Sequence, residues 1–511
     1  MDKKLLRSLF RRRFLVGIMI VLQMAFLVWM IVSGSRISQI FSGILTIISL
    51  LAALYIISKR DKGAYKLTWV FLILIFPLFG GLFYLLFNFQ SSTKRFAKQI
   101  EITEKKTRPL FYLPGDGYAA AESEIPQNIH QVRYLQDFMG FPVYLNSSTE
   151  FLSSGEVKFE ALKRELQKAE KYIFLEYFIV EEGIMWNGIL EILKQKAVEG
   201  VKVRIIYDDM GCFLLLPQNY PAQLKKYGID CVLFNPFMPM LTAMQNNRDH
   251  RKIAVIDGKT AFTGGINLAD EYINAIDKHG HWRDSAIMIK GKAAWSFTLM
   301  FLQMWELCKK TDEDYSVYYP WNDEPCSVPN DGFVQPYSDS PMDTENVGEH
   351  VYLQMINNAK DYVYINTPYL IVDDSMISAL SLAAKSGVDV RIVTPHKWDK
   401  WIVHKATRSY YYELIKAGVK IYEYTDGFNH SKTFVSDDTT ATVGTINMDF
   451  RSLYLHFECG VWLCGSKAVK DIKEDFLSTL EVCQQITEDD CSKNPFVRLL
   501  QQILRLFAPL M

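Results

Sequence analysis

His250, Lys252 and Asp257 stand in the spacing H-x-K-x4-D within NNRDHRKIAVIDGKTAFTGGIN (246–267), with Gly264, Gly265 and Asn267 behind them. The apolar run KIAVID reads as a buried strand, and Asp257-Gly258 as the turn after it. Two residues apart on a strand, His250 and Lys252 point to one face. An imidazole and an ammonium aimed at one place make a site for an anion. The spacing returns in NHSKTFVSDDTTATVGTIN (429–447), with His430, Lys432, Asp437, Gly444 and Asn447. The distance from His to the downstream Asn is the same in both copies (267 − 250 = 447 − 430 = 17). Average composition predicts roughly 0.03 chance matches in such a chain, so two matches are a signal. A single strand histidine would more often be structural.

Transfer at a phosphodiester requires a nucleophile, an acid for the departing alkoxide and positive charge around the phosphoryl oxygens. Imidazole can attack, or donate and accept protons near neutral pH. Two histidines facing each other across a phosphate supply both roles. Lys252 and Lys432 supply the charge, and Asn267 and Asn447 can donate amide hydrogen bonds to the same oxygens. The sequence contains no metal-ligand cluster, and the chemistry calls for no metal and no cofactor.

The elements that must position these residues are also duplicated. AEKYIFLEYFIV (169–180) resembles AKDYVYINTPYLIV (359–372), and GVKVRIIYDD (200–209) resembles GVDVRIVTPH (387–396). Each copy therefore reads helix, strand, helix, strand, and later the H-x-K strand. A period of about 180 residues is too long for a solenoid. It predicts two α/β halves packed face to face, each giving one His and one Lys to a shared cleft.

Paired H-x-K-x4-D motifs followed by Gly and Asn resemble the phospholipase D superfamily. Apolar segments ahead of them, HWRD at 281–284 and NTPY at 366–369 bring the likeness closest to the bacterial cardiolipin synthases. The resemblance implies two homologous α/β halves around one active site, preceded by a transmembrane helical region. It implies phosphatidyl transfer between two phosphatidylglycerols, releasing glycerol, with attack by the N-terminal His250 and a phosphohistidine intermediate. It implies that Asp284 and Glu458 orient the histidines and that Glu176 and Asn366 line the cleft. Asp257 and Asp437 belong to the catalytic motifs, and the family credits them with structural support. The rival readings are a phospholipase D-type hydrolase, a transferase using another alcohol, and a non-catalytic lipid-binding scaffold.

The chain of 511 residues divides on composition into a membrane region (1–89), a polar connector ending in a loop with a short strand (90–149), a first half with its linker (150–346), a second half (347–493) and an amphipathic C-terminal helix (494–511). Six basic residues in 1–13 precede the uncharged run Phe14–Ser33, long enough to span a bilayer. Ile37–Ile57 and Leu67–Phe87 are further apolar runs, the last interrupted by Pro77, Gly80 and Gly81. Basic clusters at 59–66 and 94–106 favour a catalytic region facing the cytoplasm, with a third segment that does not fully cross. Eight scattered cysteines fit a reducing compartment. The Pro- and Asp-rich stretch 321–346 reads as the junction between halves. In the tail, Phe496, Leu499, Leu500, Ile503, Leu504 and Phe507 share one helical face, either packed on the core or lying on anionic lipid. The net charge of −1 gives no basic excess for nucleic acid. The expected partners are phosphatidylglycerol and cardiolipin in the bilayer, with homo-oligomerisation left open.

Overall fold

In the computed structural model, the described residues are 36–59, 62–75, 91–237, 243–322, 325–492 and 494–510, with isolated helical positions at 21, 25, 28, 29, 81 and 84. Contacts divide the chain into two units. One comprises residues 1–96, 237–246 and 503–511, the other 97–236 and 247–502. The second unit holds both halves.

The first half supplies strands β1 (Ser147–Leu152), β2 (Tyr172–Tyr177), β3 (Lys202–Asp208), β4 (Asp230–Phe234), β5 (Lys252–Ile256), β6 (Thr260–Gly264), β7 (His281–Arg283) and β8 (Ala286–Gly291). The second supplies β9 (Phe333–Asp339), β10 (Tyr362–Asn366), β11 (Leu370–Ile371), β12 (Asp389–Pro395), β13 (Lys420–Tyr424), β14 (Gly427–Asn429), β15 (Thr433–Ser436), β16 (Thr440–Gly444), β17 (Met448–Asp449), β18 (Glu458–Cys464) and β19 (Cys483–Ile486). One sheet runs β1-β8-β6-β5-β2-β3-β4, the other β19-β13-β12-β10-β15-β16-β18-β9. Without β19 and read in reverse, the second order repeats the first, strand for strand.

In each half the inner strands are buried on both faces, which explains why KIAVI and YIFLEY read as continuous apolar runs. The helices Gly155–Leu166 and Ile184–Val198 place Leu162, Leu166, Trp186, Ile189 and Leu193 in one core cluster with Ile173 and Leu175 of β2. The side chain of Ser154 caps the first of these helices by accepting from Val157 N.

Two features differ from the sequence reading. The stretch 321–346 is not only a junction, because β9 lies inside it and pairs antiparallel with β18. Its Pro336 suggested a linker, but β9 is an edge strand, where a residue without an N–H is tolerated. The connector 90–149 is largely helical, with an α-helix at Ser91–Thr107 and short helices through Phe138; the short strand at its end is β1.

In the first unit, α-helices run Arg36–Ser58 and Gly63–Ile75, and Ala52, Ile56, Trp69, Ile73 and Tyr84 form a small apolar cluster. Among the described residues no helix is long and apolar enough to cross a membrane. In Arg36–Ser58 the side chains at 36–38, 41, 42 and 45 lie outside that set. The expected span Phe14–Ser33 lies almost wholly outside it, as does most of Leu67–Phe87 beyond Ile75. The tail helix Pro495–Phe507 has no fully buried side chain: Phe496, Leu499, Leu500 and Ile503 are exposed, whereas Leu504 is half-buried and the half-buried Phe507 ring lies 6.0 Å from that of Phe71.

Candidate active site

Lys252 opens β5 with His250 two residues before it, and His430 and Lys432 lie just before β15. All four are buried. Each lysine donates from Nζ to the carbonyl oxygen of the histidine two residues before it. This contact holds the ammonium beside the imidazole, as the i, i+2 spacing predicts.

The motif acids hold a turn. Asp257, in the left-handed region at φ 52°, accepts from the backbone N–H groups of Glu170, Lys171 and Tyr172 at 2.8, 2.8 and 2.7 Å. Asp437, at φ 54°, does the same for Lys360, Asp361 and Tyr362 at 2.8, 3.0 and 2.9 Å. Each therefore ties the hairpin after a motif strand to the start of the central strand, β2 or β10. Their carboxylates are committed to these backbone N–H groups, at the opposite end of β5 and β15 from the histidines.

The orienting carboxylates cross between the halves. His250 Nδ1 lies 2.8 Å from Glu458 Oε1 of the second half. His430 Nδ1 lies 2.6 Å from Asp284 Oδ2 of the first, with Lys432 Nζ 2.9 Å from the same nitrogen. Holding Nδ1 leaves Nε2 of each ring for chemistry. The backbone repeats the exchange. His250 N donates to Phe457 O at 2.9 Å and His430 N to Arg283 O at 2.6 Å, while β7 pairs with β14. The carboxylates are themselves held, Asp284 by Ser285 N at 2.8 Å and Glu458 by Thr445 Oγ1. The glycines after each motif give this exchange room. A Cβ on Gly265 would lie 2.1 Å from Asp284 Oδ1, and one on Gly444 2.5 Å from Cys459 O.

Glu176 and Asn366 do not line the cleft. Strand alternation turns Arg251, between His250 and Lys252, to the opposite face. Glu176 pairs with Arg251 there, at 2.6 Å. Asn366 bonds Thr433 Oγ1 at 3.0 Å and Asn429 Nδ2 at 3.2 Å. Both sit in equivalent registers, opposite Ile253 and Thr433, each one residue past its motif lysine. Asn267 accepts from Ile179 N at 3.0 Å and donates to Tyr272 Oη at 2.7 Å. Asn447 donates to Asp449 Oδ2 at 3.1 Å. One N–H of each amide is thus committed within the protein.

The sequence reading missed the rings around the histidines. Phe178 and His456 lie 5.2 and 5.4 Å from His250, and Trp282 and Tyr272 lie 5.3 and 5.6 Å from His430. His456 and Trp282 each precede an orienting carboxylate by two residues, so the same alternation that points the acid inward points the ring inward. It also missed that His250, His456 and Glu458 bring ligand atoms within 4.8 Å of one another. Burial, then Arg451, Lys252 and Arg248, hold the His456 imidazole well below its ordinary range. That positive field opposes a bound cation as well as a proton.

Burial governs the charge state of the free site. It holds His250 well below the ordinary imidazole range, with Lys252 adding to the effect. It brings His430 down to about 4, helped by Lys432 and opposed by Asp284. Lys252 falls to about 8 and Lys432 to about 7, in both cases chiefly through burial. An ammonium loses its charge as pH rises through its pKa, so the free enzyme should lose its anion-binding charge between about pH 7 and 8. The alkaline limb of kcat/KM should fall there, far below the usual lysine range. A bound phosphodiester stabilises both ammonium groups, so the limb in kcat should lie at higher pH. A kcat/KM profile flat to pH 10 would remove the lysines from this role.

Comparison with known proteins agrees with this geometry. A family model described as cardiolipin synthase, PLD-like domain, matches residues 162–305 and 352–480, and one described as phospholipase D-nuclease N-terminal matches 47–87. An uncharacterised protein of Streptococcus mutans is 44% identical over 462 residues, covering 90% of this chain and 99% of that protein. A cardiolipin synthase of Halalkalibacterium halodurans is 36% identical over 482 residues, covering 92% and 94%. The phosphatidylserine synthase of Haemophilus influenzae shares the fold, with a TM-score of 0.55 at 14% identity over 71% of this chain and 93% of that one.

Proposed function

The chain belongs to the cardiolipin synthase family of the phospholipase D superfamily, and from that premise we propose how its two halves divide the reaction. The enzyme is a phosphatidyltransferase that moves a phosphatidyl group from one phosphatidylglycerol to another, giving cardiolipin and glycerol. In our reading Nε2 of His250 attacks phosphorus, the bond to the glycerol oxygen breaks, and His430 gives its proton to that oxygen. The hydroxyl of the second phosphatidylglycerol then passes its proton to His430 and attacks the phosphohistidine, and the N–P bond breaks. One side chain serves as acid and then as base. His430 must begin protonated although the free site disfavours it. An anionic phosphodiester between Lys252 and Lys432 offsets their field, and Asp284 stabilises the imidazolium. The second N–H of Asn267 and of Asn447 remains for the phosphoryl oxygens.

The observation that carries this reading is the crossed pairing of each histidine with the other half's carboxylate, which makes one site from two halves. The test is acid quench during turnover of phosphatidylglycerol labelled in its phosphatidyl group, with mapping of the labelled peptide and mass analysis of the lipids. Label should reside on the peptide carrying His250. Label only on the peptide carrying His430 would reverse the roles, and phosphatidic acid as sole product would make the enzyme a hydrolase.

We also read the N-terminal region and tail as membrane-attached. The exposed Ile40, Ile44, Ile47, Leu51 and Leu54 of the helix Arg36–Ser58 support this, as do the exposed Phe496, Leu499, Leu500 and Ile503 of the tail. The basic clusters after these segments support a cytoplasm-facing catalytic region. Cleavage of residues beyond 97 by protease added outside intact cells would reverse that orientation.

A further inference from the structure

Each half carries a loop directly after its second parallel strand, and both loops present apolar side chains to solvent. After β3, residues 209–216 expose Leu214 (72%) and also Met210. After β12, residues 396–402, a loop running into the first turn of the helix Trp401–Ser409, expose Trp398 (52%), Trp401 (48%) and Ile402 (51%). The two loops leave the sheets at the histidine end. Tyr177 lies beside Tyr207 of β3 and opposite Lys252 of β5. Asp208, the last residue of β3, accepts at 3.1 Å from the N–H of Asp249, next to His250. In the second half, Val393 O accepts at 3.2 Å from Asn429 Nδ2, next to His430.

Each loop also touches the ring system of its own histidine. Cys212 Sγ donates to Phe178 O at 3.5 Å, and the Phe178 ring packs on His250. Tyr369 donates from Oη to Asp399 Oδ2 at 2.5 Å, its ring lies 6.3 Å from Phe428, and Phe428 lies 5.9 Å from His430. The second loop is basic as well as apolar. Lys397 and Lys400 are exposed, while Asp399 is held by Tyr369 and lies 4.0 Å from Lys400 Nζ. Tryptophan beside lysine is the composition that settles at a bilayer interface, with the ring at headgroup depth and the ammonium on anionic phosphate.

We propose that residues 209–216 and 396–402 form a docking rim at the mouth of the catalytic cleft, which seats Leu214, Trp398, Trp401 and Ile402 in the headgroup layer of an anionic phospholipid bilayer. The proposal rests on the lipid-substrate reading above. A phospholipid has its phosphodiester at headgroup depth and its chains below, while both histidines are buried. A rim that enters the headgroup layer on both sides of the mouth lets the phosphodiester reach them with its chains still largely in the bilayer. The basic loop answers the charge of the lipid the enzyme consumes.

The test uses the full chain in vesicles of phosphatidylglycerol and phosphatidylcholine. Trp398→Ser, Trp401→Ser and Ile402→Ser are combined in one variant, and Leu214→Ser is a second. Turnover is measured on bilayer phosphatidylglycerol and on a short-chain phosphatidylglycerol below its critical micelle concentration. The rim predicts that the triple variant loses at least about 10-fold on the bilayer and changes less than about 2-fold on the soluble lipid. Brominated lipid should quench the tryptophan emission of the wild type more than that of the variant. Equal loss on both substrates in both variants would make the loops part of the site or fold and overturn the proposal. So would undiminished bilayer turnover, or a change in oligomeric state in detergent, which would make the partner a second copy. Absence of wild-type turnover on either lipid would instead refute the lipid-substrate reading.

Discussion

His250→Ala and His430→Ala should each lower kcat/KM for phosphatidyl transfer by at least about 10³-fold, with the fold intact. The two positions are 180 residues apart (430 − 250), yet neither half contains a complete set of reacting groups. Without His250 no imidazole forms the bond to phosphorus. Without His430 glycerol would have to leave as an alkoxide, and the second phosphatidylglycerol would attack with its proton still on. Because they serve one cycle, the double variant should be little worse than either single one. Thermal unfolding should change modestly, since removing an imidazole from the cleft opens space where substrate enters. Initial rates on phosphatidylglycerol vesicles, beside unfolding of the same preparations, measure both. Substantial activity in either single variant would mean that each half works alone.

Asp284→Asn and Glu458→Gln should each cost about 10² to 10⁴-fold, and they should fail at different stages. An amide keeps the shape of the carboxylate but can present its N–H to Nδ1, which favours the wrong tautomer and gives no support to an imidazolium. Glu458 holds His250, so Glu458→Gln should suppress formation of the labelled phosphohistidine. Asp284 holds His430, so Asp284→Asn should slow glycerol departure and, more visibly, the attack by the second lipid. Label on His250 should then persist longer after a chase with unlabelled phosphatidylglycerol. Quench-flow with peptide mapping reads both stages. If Asp284→Asn abolished labelling while Glu458→Gln merely prolonged it, the pairing of carboxylate with step would be reversed. Equal small losses in both would reduce the carboxylates to packing.

The two motifs, their lysines and the α/β repeat were legible in the sequence because each depends on neighbours along the chain. His250 and Lys252 share a face by strand alternation, and Asp257 ends the strand in a turn. Asp284 and Glu458 could be picked out as acids at similar distances behind each motif. Alternation also held the answer on Glu176 and Asn366, since it sends Arg251 and its partner to the far face. Resemblance had placed both in the cleft. Pro336 misled because proline is rare in strands, and only the finished sheet revealed that β9 is an edge.

What the sequence by itself determined is therefore the two motifs and their local geometry, a matter of period-two strands and one repeated spacing. Only the tertiary structure decided which carboxylate serves which histidine. Glu458 reaches His250 across 208 residues and Asp284 reaches His430 across 146. Those pairs form because one half packs on the other, with β7 against β14 and Asp249 bridged to Phe457. Contacts across that interface arise from the complementarity of two folded surfaces. No residue's neighbours along the chain encode them.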